Sequence, residues 1–253
     1  MAKDEYLLRA AARWERPVLR LYGWHPMTLS VGRNQRVEEE IDLAACRREG
    51  VAVVRRSTGG WAVLHGTDLT YAVAAPAGAG FGGTIMEAYR SLAEVFVRLF
   101  AELGFRPEVQ SYGGRERARR ASPICFATPS AYELLIGGKK LVGSAQRRRP
   151  DGFLQHGSIP LRRQNELLAR LFRGATAETI EAAMTDLETL DLWRRLTPAE
   201  FQGKLLDAFE RVFRAEWSEM PWTEEDERAV GSLEERYRPI GEEERSTIPA
   251  RAV

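Results

Sequence analysis

Three stretches of this chain combine residue types and spacings that could carry chemistry. The first is Arg55-Arg56-Ser57-Thr58-Gly59-Gly60-Trp61-Ala62-Val63-Leu64-His65. Glycines let backbone N–H groups come close to a ligand, and arginines stabilise an anion. A hairpin turn with solvated arginines accounts for the same pattern. The second stretch is Gly137-Gly138-Lys139-Lys140-Leu141-Val142-Gly143-Ser144-Ala145-Gln146. Strand alternation places Lys140, Val142 and Ser144 on one face and Leu141 and Gly143 on the other. A lysine beside small residues leaves room for a ligand, and a surface hairpin with snorkelling lysines is the alternative. The third is Ile124-Cys125-Phe126-Ala127-Thr128-Pro129-Ser130. Its cysteine is either a nucleophile or a small buried hydrophobe. The other cysteine, Cys46, follows Leu43-Ala44-Ala45 and reads as a helical core position.

The elements that must hold these stretches follow from local pattern. Residues 3–15 predict an amphipathic helix stopped by Pro17. Strands are predicted at 18–24, 27–31, 51–54, 61–65 and 69–74. Thr84 to Leu103 reads as the longest helix, with a Thr84–Glu87 capping box and Gly104 as its stop. Residues 113–122, with four arginines and two glycines, predict a loop. Residues 132–136 and 140–146 predict a hairpin across the Gly137-Gly138 turn, and 153–161 another strand. Helices are predicted at 165–172, 176–187, 198–215 and 223–237, with a frayed polar tail from Pro239. Thr197-Pro198-Ala199-Glu200 combines a cap, a first-turn proline and a capping glutamate. The expected class is α+β: mixed sheets with one long helix, and a helical C-terminal appendage. Residues 3–215 read as the main domain and 216–253 as a terminal helix and tail.

Composition narrows the function. The chain has 253 residues, with 37 Lys and Arg against 36 Asp and Glu, a net charge of +1. Such balance argues against coating nucleic acid in bulk. No run of about 18 apolar residues is present, so no helix is expected to span a membrane. The first residues lack the apolar core of a secretory signal, so the chain reads as cytoplasmic. Two cysteines and three widely spaced histidines, His25, His65 and His156, support neither a disulfide framework nor a metal site. The basic groups Arg115, Arg117, Arg119, Arg120 and Arg147 to Arg149 read as solvated faces or as a rim for an acidic protein.

Taken together, RRSTGGWAVLH (55–65), CFATPSAYEL (125–134), GGKKLVGSAQRR (137–148) and LQHGSIPL (154–161) resemble the biotin/lipoate protein ligase superfamily. The closest resemblance is to its lipoate-ligase-like octanoyl-[acyl carrier protein]:protein octanoyltransferases. The early DEYLL, YGWHPMTLSVGRNQ and TDLTYAV runs also resemble that family, and the similarity extends over about residues 4–215. The glycine-arginine signature of biotin ligases is missing. The resemblance implies Cys125 as the acyl-accepting nucleophile and Lys140, fifteen positions on, as the lysine that lowers its pKa. It implies substrate contacts from Arg56, Thr58, Gly59, Gly60, His65, Gly143, Ser144, Ala145, Gln146, His156 and Gly157. The implied partners are octanoyl-acyl carrier protein as donor and, as acceptor, a lipoyl-domain protein such as glycine cleavage H protein or a 2-oxoacid dehydrogenase E2. No cofactor, metal, membrane or nucleic acid is implied. The alternative is an ATP-dependent lipoate–protein ligase, which would use Arg56, Gly59, Gly60 and Lys140 for an acyl-adenylate and leave Cys125 idle. Two departures from the family pattern stand near the glycine pair: Trp61 follows it, and His65-Gly66 replaces His-Asp.

Overall fold

The first helix, α1 (Ala2–Trp14), carries Asp4 and Glu5 in its first turn and Arg13 in its last, each sign matched to the helix dipole. It ends where Glu15 turns left-handed (φ 54°), just ahead of Pro17. The computed structural model to which α1 belongs describes residues 1–110, 133–162 and 164–241. Cys125, the arginines at 115–120 and the expected loop at 113–122 lie outside the described residues.

Strands β1 (Val18–Tyr22) and β2 (Thr28–Val31) follow, then the short helices α2 (Val37–Glu40) and α3 (Leu43–Arg48). Next come β3 (Ala52–Arg55), β4 (Val63–His65), β5 (Asp68–Pro76), helix α4 (Ile85–Glu102) and β6 (Pro107–Val109). Strands β7 (Leu134–Ile136), β8 (Lys139–Arg149) and β9 (Gly152–Pro160) complete the sheets. Among the described residues the later α-helices are α5 (Asn165–Leu171), α6 (Ala177–Ala183), α7 (Pro198–Phe213) and α8 (Glu224–Glu234). Among the described residues, an antiparallel six-stranded sheet runs β1-β5-β9-β8-β7-β6 and a three-stranded sheet runs β3-β2-β4.

Alternation on β5 sends Tyr71, Val73 and Ala75 into the main core and Ala72 and Ala74 to the opposite face, against Leu7 and Leu8 of α1. Helix α4 lays Leu92, Phe96 and Leu99 on the first face. Its Thr84 cap and Glu87 form the expected capping box. Helix α7 adds Phe201, Leu205 and Phe209 to that same core, so this helix is integral to it, while α5 and α6 pack with the small sheet through Leu168, Leu171 and Ile180. Helix α8 packs back on α1 through Val230 and Leu233 against Ala2 and Tyr6.

Several expected elements differ in detail. Strands β3 and β4, which flank the Gly59-Gly60 turn, do not form a hairpin. Each pairs with β2 between them, β3 in parallel and β4 antiparallel, so the turn arches over the end of β2. Of the two glycines only Gly60 takes a positive φ, 83°. The predicted helix to 187 stops at Ala183, because Met184 bridges Lys140 and the Thr185 N–H donates to the Lys140 carbonyl. The tail is tied down at Ile240, whose N–H donates to Val53 O at 2.7 Å. No helix among the described residues is long and apolar enough to cross a membrane.

Candidate active site

Lys140 owes its position to its local sequence. Gly137 and Gly138 both adopt positive φ, 59° and 72°, as a two-residue hairpin turn of mirror-image type demands. Leu135 then pairs with Lys140, but Leu134 pairs with Val142, which makes Leu141 an extra residue. The bulge breaks the predicted alternation, since Leu141 and Val142 both enter the main core. Lys140 is fully buried, and its Nζ donates to Glu133 Oε1. Glu133, itself 2% exposed, lines a cavity.

That cavity, of about 120 Å³, opens between the small sheet and the face of β5, β8 and β9 that α1 covers. Of the residues predicted for the site, Arg56, Gly60 and His65 line it from the small-sheet side. Gly143, Ser144, Ala145, His156 and Gly157 line it from β8 and β9. Trp61 and Val63 add apolar wall. Thr58, Gly59 and Gln146 sit one layer behind. Thr58 and Gly59 bond Arg56, and Gln146 Nε2 donates to Gln155 Oε1 at 3.0 Å. Gln155 in turn donates to Tyr71 OH, which shares a 2.7 Å hydrogen bond with Ser144 Oγ. Gly157 is required by space: a Cβ there would lie 2.5 Å from both Gly143 O and Tyr71 Cε1.

Two buried relays stand against the cavity. His156 bonds Asp4 through Nδ1 at 3.0 Å and Thr58 Oγ1 through Nε2 at 2.8 Å. His65 bonds Asp68 through Nδ1 at 2.7 Å and Ser30 Oγ through Nε2 at 2.8 Å. The Trp24 ring stacks on His65 at 4.3 Å. Burial alone would raise both carboxyl pKa values, but His156, the N-terminal amine and Arg20 together hold Asp4 below the usual carboxylate range, and His65, Ser158 and the Gly66 N–H together hold Asp68 below it. Burial pushes His156 below the ordinary imidazole value against the pull of Asp4. A neutral His156 that donates from Nδ1 to Asp4 presents Nε2 as acceptor for the Thr58 hydroxyl.

Asp4, Ser30, Asp68 and Glu133 were not among the residues the sequence singled out. His65 and Asp68 are three residues apart, a signal that was available. The other pairings join distant segments and leave no trace in local spacing. Of the basic group on β8, Arg148 is spent on the Gly82 and Gly83 carbonyls and Arg149 on Asp151.

Comparison with known proteins places this arrangement. Residues 1–210 match the model of the lipoyl protein ligase A/B catalytic domain. The protein named Octanoyltransferase LipM of Kyrpidia tusciae is 45% identical over 181 residues, 68% of this chain and 65% of its own length. That of Exiguobacterium is 36% identical over 252 residues, 94% of this chain and 90% of its own. Among solved structures, a putative lipoate protein ligase from T. acidophilum with bound lipoic acid superposes with a TM-score of 0.76 at 23% identity, covering 93% of this chain and 88% of that one. Lipoate-protein ligase A bound with ATP gives the same TM-score at 22% identity, with the same coverage. The latter two establish the fold. With the family model spanning most of the chain, the protein belongs to the lipoyl protein ligase A/B catalytic domain family and sits there among octanoyltransferases, which are acyltransferase enzymes.

Proposed function

We propose that the protein transfers an octanoyl group from octanoyl-acyl carrier protein, through a thioester on Cys125, to the lysine amine of a lipoyl domain, in the cytoplasm. Residues 3–215 form the catalytic unit in this reading. Relatives named octanoyltransferases that align over nine-tenths of their own length support it, and the resemblance of the Cys125-Phe126 run to the family motif implies Cys125 as the nucleophile.

The chemistry follows from the groups involved. The Cys125 thiolate attacks the thioester carbonyl, and the carrier's thiolate leaves and takes up a proton. Exchange of one thioester for another is nearly thermoneutral, so no activation by nucleotide is needed. The acceptor amine then attacks the acyl-enzyme, and its proton passes to the departing Cys125 sulfur with Lys140 as carrier. Amide formation from a thioester is downhill and drives the cycle. The candidates for oxyanion donors are backbone N–H groups of the Gly143–Ala145 segment and of the Gly59-Gly60 turn. The octanoyl chain fits the cavity wall formed by Trp61, Val63, Gly143 and Ala145.

Transfer from octanoyl-acyl carrier protein to a lipoyl domain is expected to proceed at full rate with a chelator and without nucleotide, measured by mass shift of the acceptor. Strict dependence on ATP and Mg²⁺, with octanoate-dependent pyrophosphate exchange, would establish the ligase reading instead.

A further inference from the structure

The setting of Arg56 in the sequence suggests an anion-binding residue, but its surroundings assign it other work. It is 4% exposed, and all three guanidinium nitrogens donate to protein acceptors. Nη1 reaches Ser30 O at 2.8 Å and Ser30 Oγ at 3.3 Å. Nη2 reaches the carbonyls of Gly59 and Trp61, each at 2.7 Å. Nε is shared between Thr58 Oγ1 and Gly59 O, both at 3.2 Å. Gly60 turns so close beneath that a Cβ there would lie 3.0 Å from Nη2. The two hydroxyls that receive Arg56 are the ends of the two relays. One runs back through His156 to Asp4 on α1, and the other through His65 to Asp68 on β5.

We propose that Arg56 is a positioning residue, bolted from two sides by the Asp4–His156–Thr58 and Asp68–His65–Ser30 relays, and that it sets the width of the acyl slot by fixing the Gly59 and Trp61 carbonyls. An anion would reach this guanidinium only if buried hydrogen bonds to those carbonyls were given up. Each hydroxyl that accepts from Arg56 also bonds a histidine Nε2, so removing either hydroxyl loosens the bolt while the carbonyl fork remains. The inference rests on the octanoyl-transfer reading above.

The test measures KM and kcat with hexanoyl-, octanoyl- and decanoyl-acyl carrier protein. It compares the parent with Thr58→Val and Ser30→Ala, each also in an Arg56→Lys background. Each single variant is expected to raise the octanoyl KM about tenfold and to narrow its advantage over decanoyl, the scale of one lost buried hydrogen bond. The kcat should change less than about threefold, and Thr58→Ser should restore KM. Residues acting through a shared partner are non-additive. In the Arg56→Lys background the same substitutions are therefore expected to change KM less than about twofold. Equal factors in both backgrounds, or an unchanged KM and chain-length profile, would overturn the proposal. The relays come from different elements, so a folding defect in one variant leaves the cycle to be run on the other. A parent enzyme that transfers no octanoyl group defeats the transfer reading itself, while a parent that transfers with additive variants defeats only the role of Arg56.

Discussion

Cys125→Ala is expected to reduce octanoyl transfer at least about a thousandfold, the scale on which removal of a covalent nucleophile acts. Cys46→Ala is expected to leave the rate nearly intact. Cys46 is buried in the small core with Val53 and Phe172, and burial, with Asp42 beside it, pushes its thiol up to about 11. At neutral pH it is protonated and slow to alkylate, so iodoacetamide labelling of the native protein reports Cys125. Loss of the Cys46 sulfur removes packing and costs about 1 kcal/mol of stability. Initial rates of the two variants decide the matter, and a fully active Cys125→Ala protein would end the covalent mechanism.

The second large effect concerns Lys140. With Glu133 it forms an ion pair that is buried on both sides. Lys140→Met alone breaks this buried pair, at a cost of about 3–5 kcal/mol. A loss of activity in that variant would mix chemistry with unfolding. Lys140→Met with Glu133→Gln removes both charges and is expected to recover most of the lost Tm. Transfer should still be down by about a hundredfold or more, the range that general acid–base catalysis contributes.

The thiol supplies the independent readout. If the lysine charge stabilises the Cys125 thiolate, the double variant should alkylate slowly at neutral pH and recover as pH rises past about 8.5, the value of a free thiol. Lys140→Arg keeps the charge but carries its proton too tightly to pass it on, so it should alkylate normally and transfer poorly. Lys139→Met should behave like the parent. Superimposable alkylation profiles for the double variant and the parent would remove the thiolate role and leave Lys140 a part in proton transfer or carbonyl binding.

The parts of the fold that were legible in the sequence are those written in local chemistry. Thr84 with Glu87 and Thr197 with Glu200 announced two helix starts, and both capping boxes form. Gly137-Gly138 announced a tight turn, and both residues take the required φ. What could not be read was set by contacts between distant segments. Strand alternation at Lys140 fails because β7 and β8 slip by one residue at Leu134 and Leu135. The Gly59-Gly60 arch looked like a hairpin because nothing local says that β2 inserts between β3 and β4. Asp4 stands in the sequence only as part of the DEYLL run. Only the packing of α1 across β9 reveals it as the partner of His156. His65-Gly66 lacks the family's adjacent aspartate, and Asp68 bonds His65 from three residues on.

In the proposed mechanism octanoyl rests on Cys125 between donor and acceptor. Intact-mass analysis after mixing the protein with octanoyl-acyl carrier protein, with no acceptor and no nucleotide, tests it most directly. The expected result is a gain of one octanoyl group, located to Cys125 by peptide mapping, labile to hydroxylamine and discharged by added lipoyl domain. A protein that stays at its unmodified mass while transfer proceeds on addition of acceptor would contradict it.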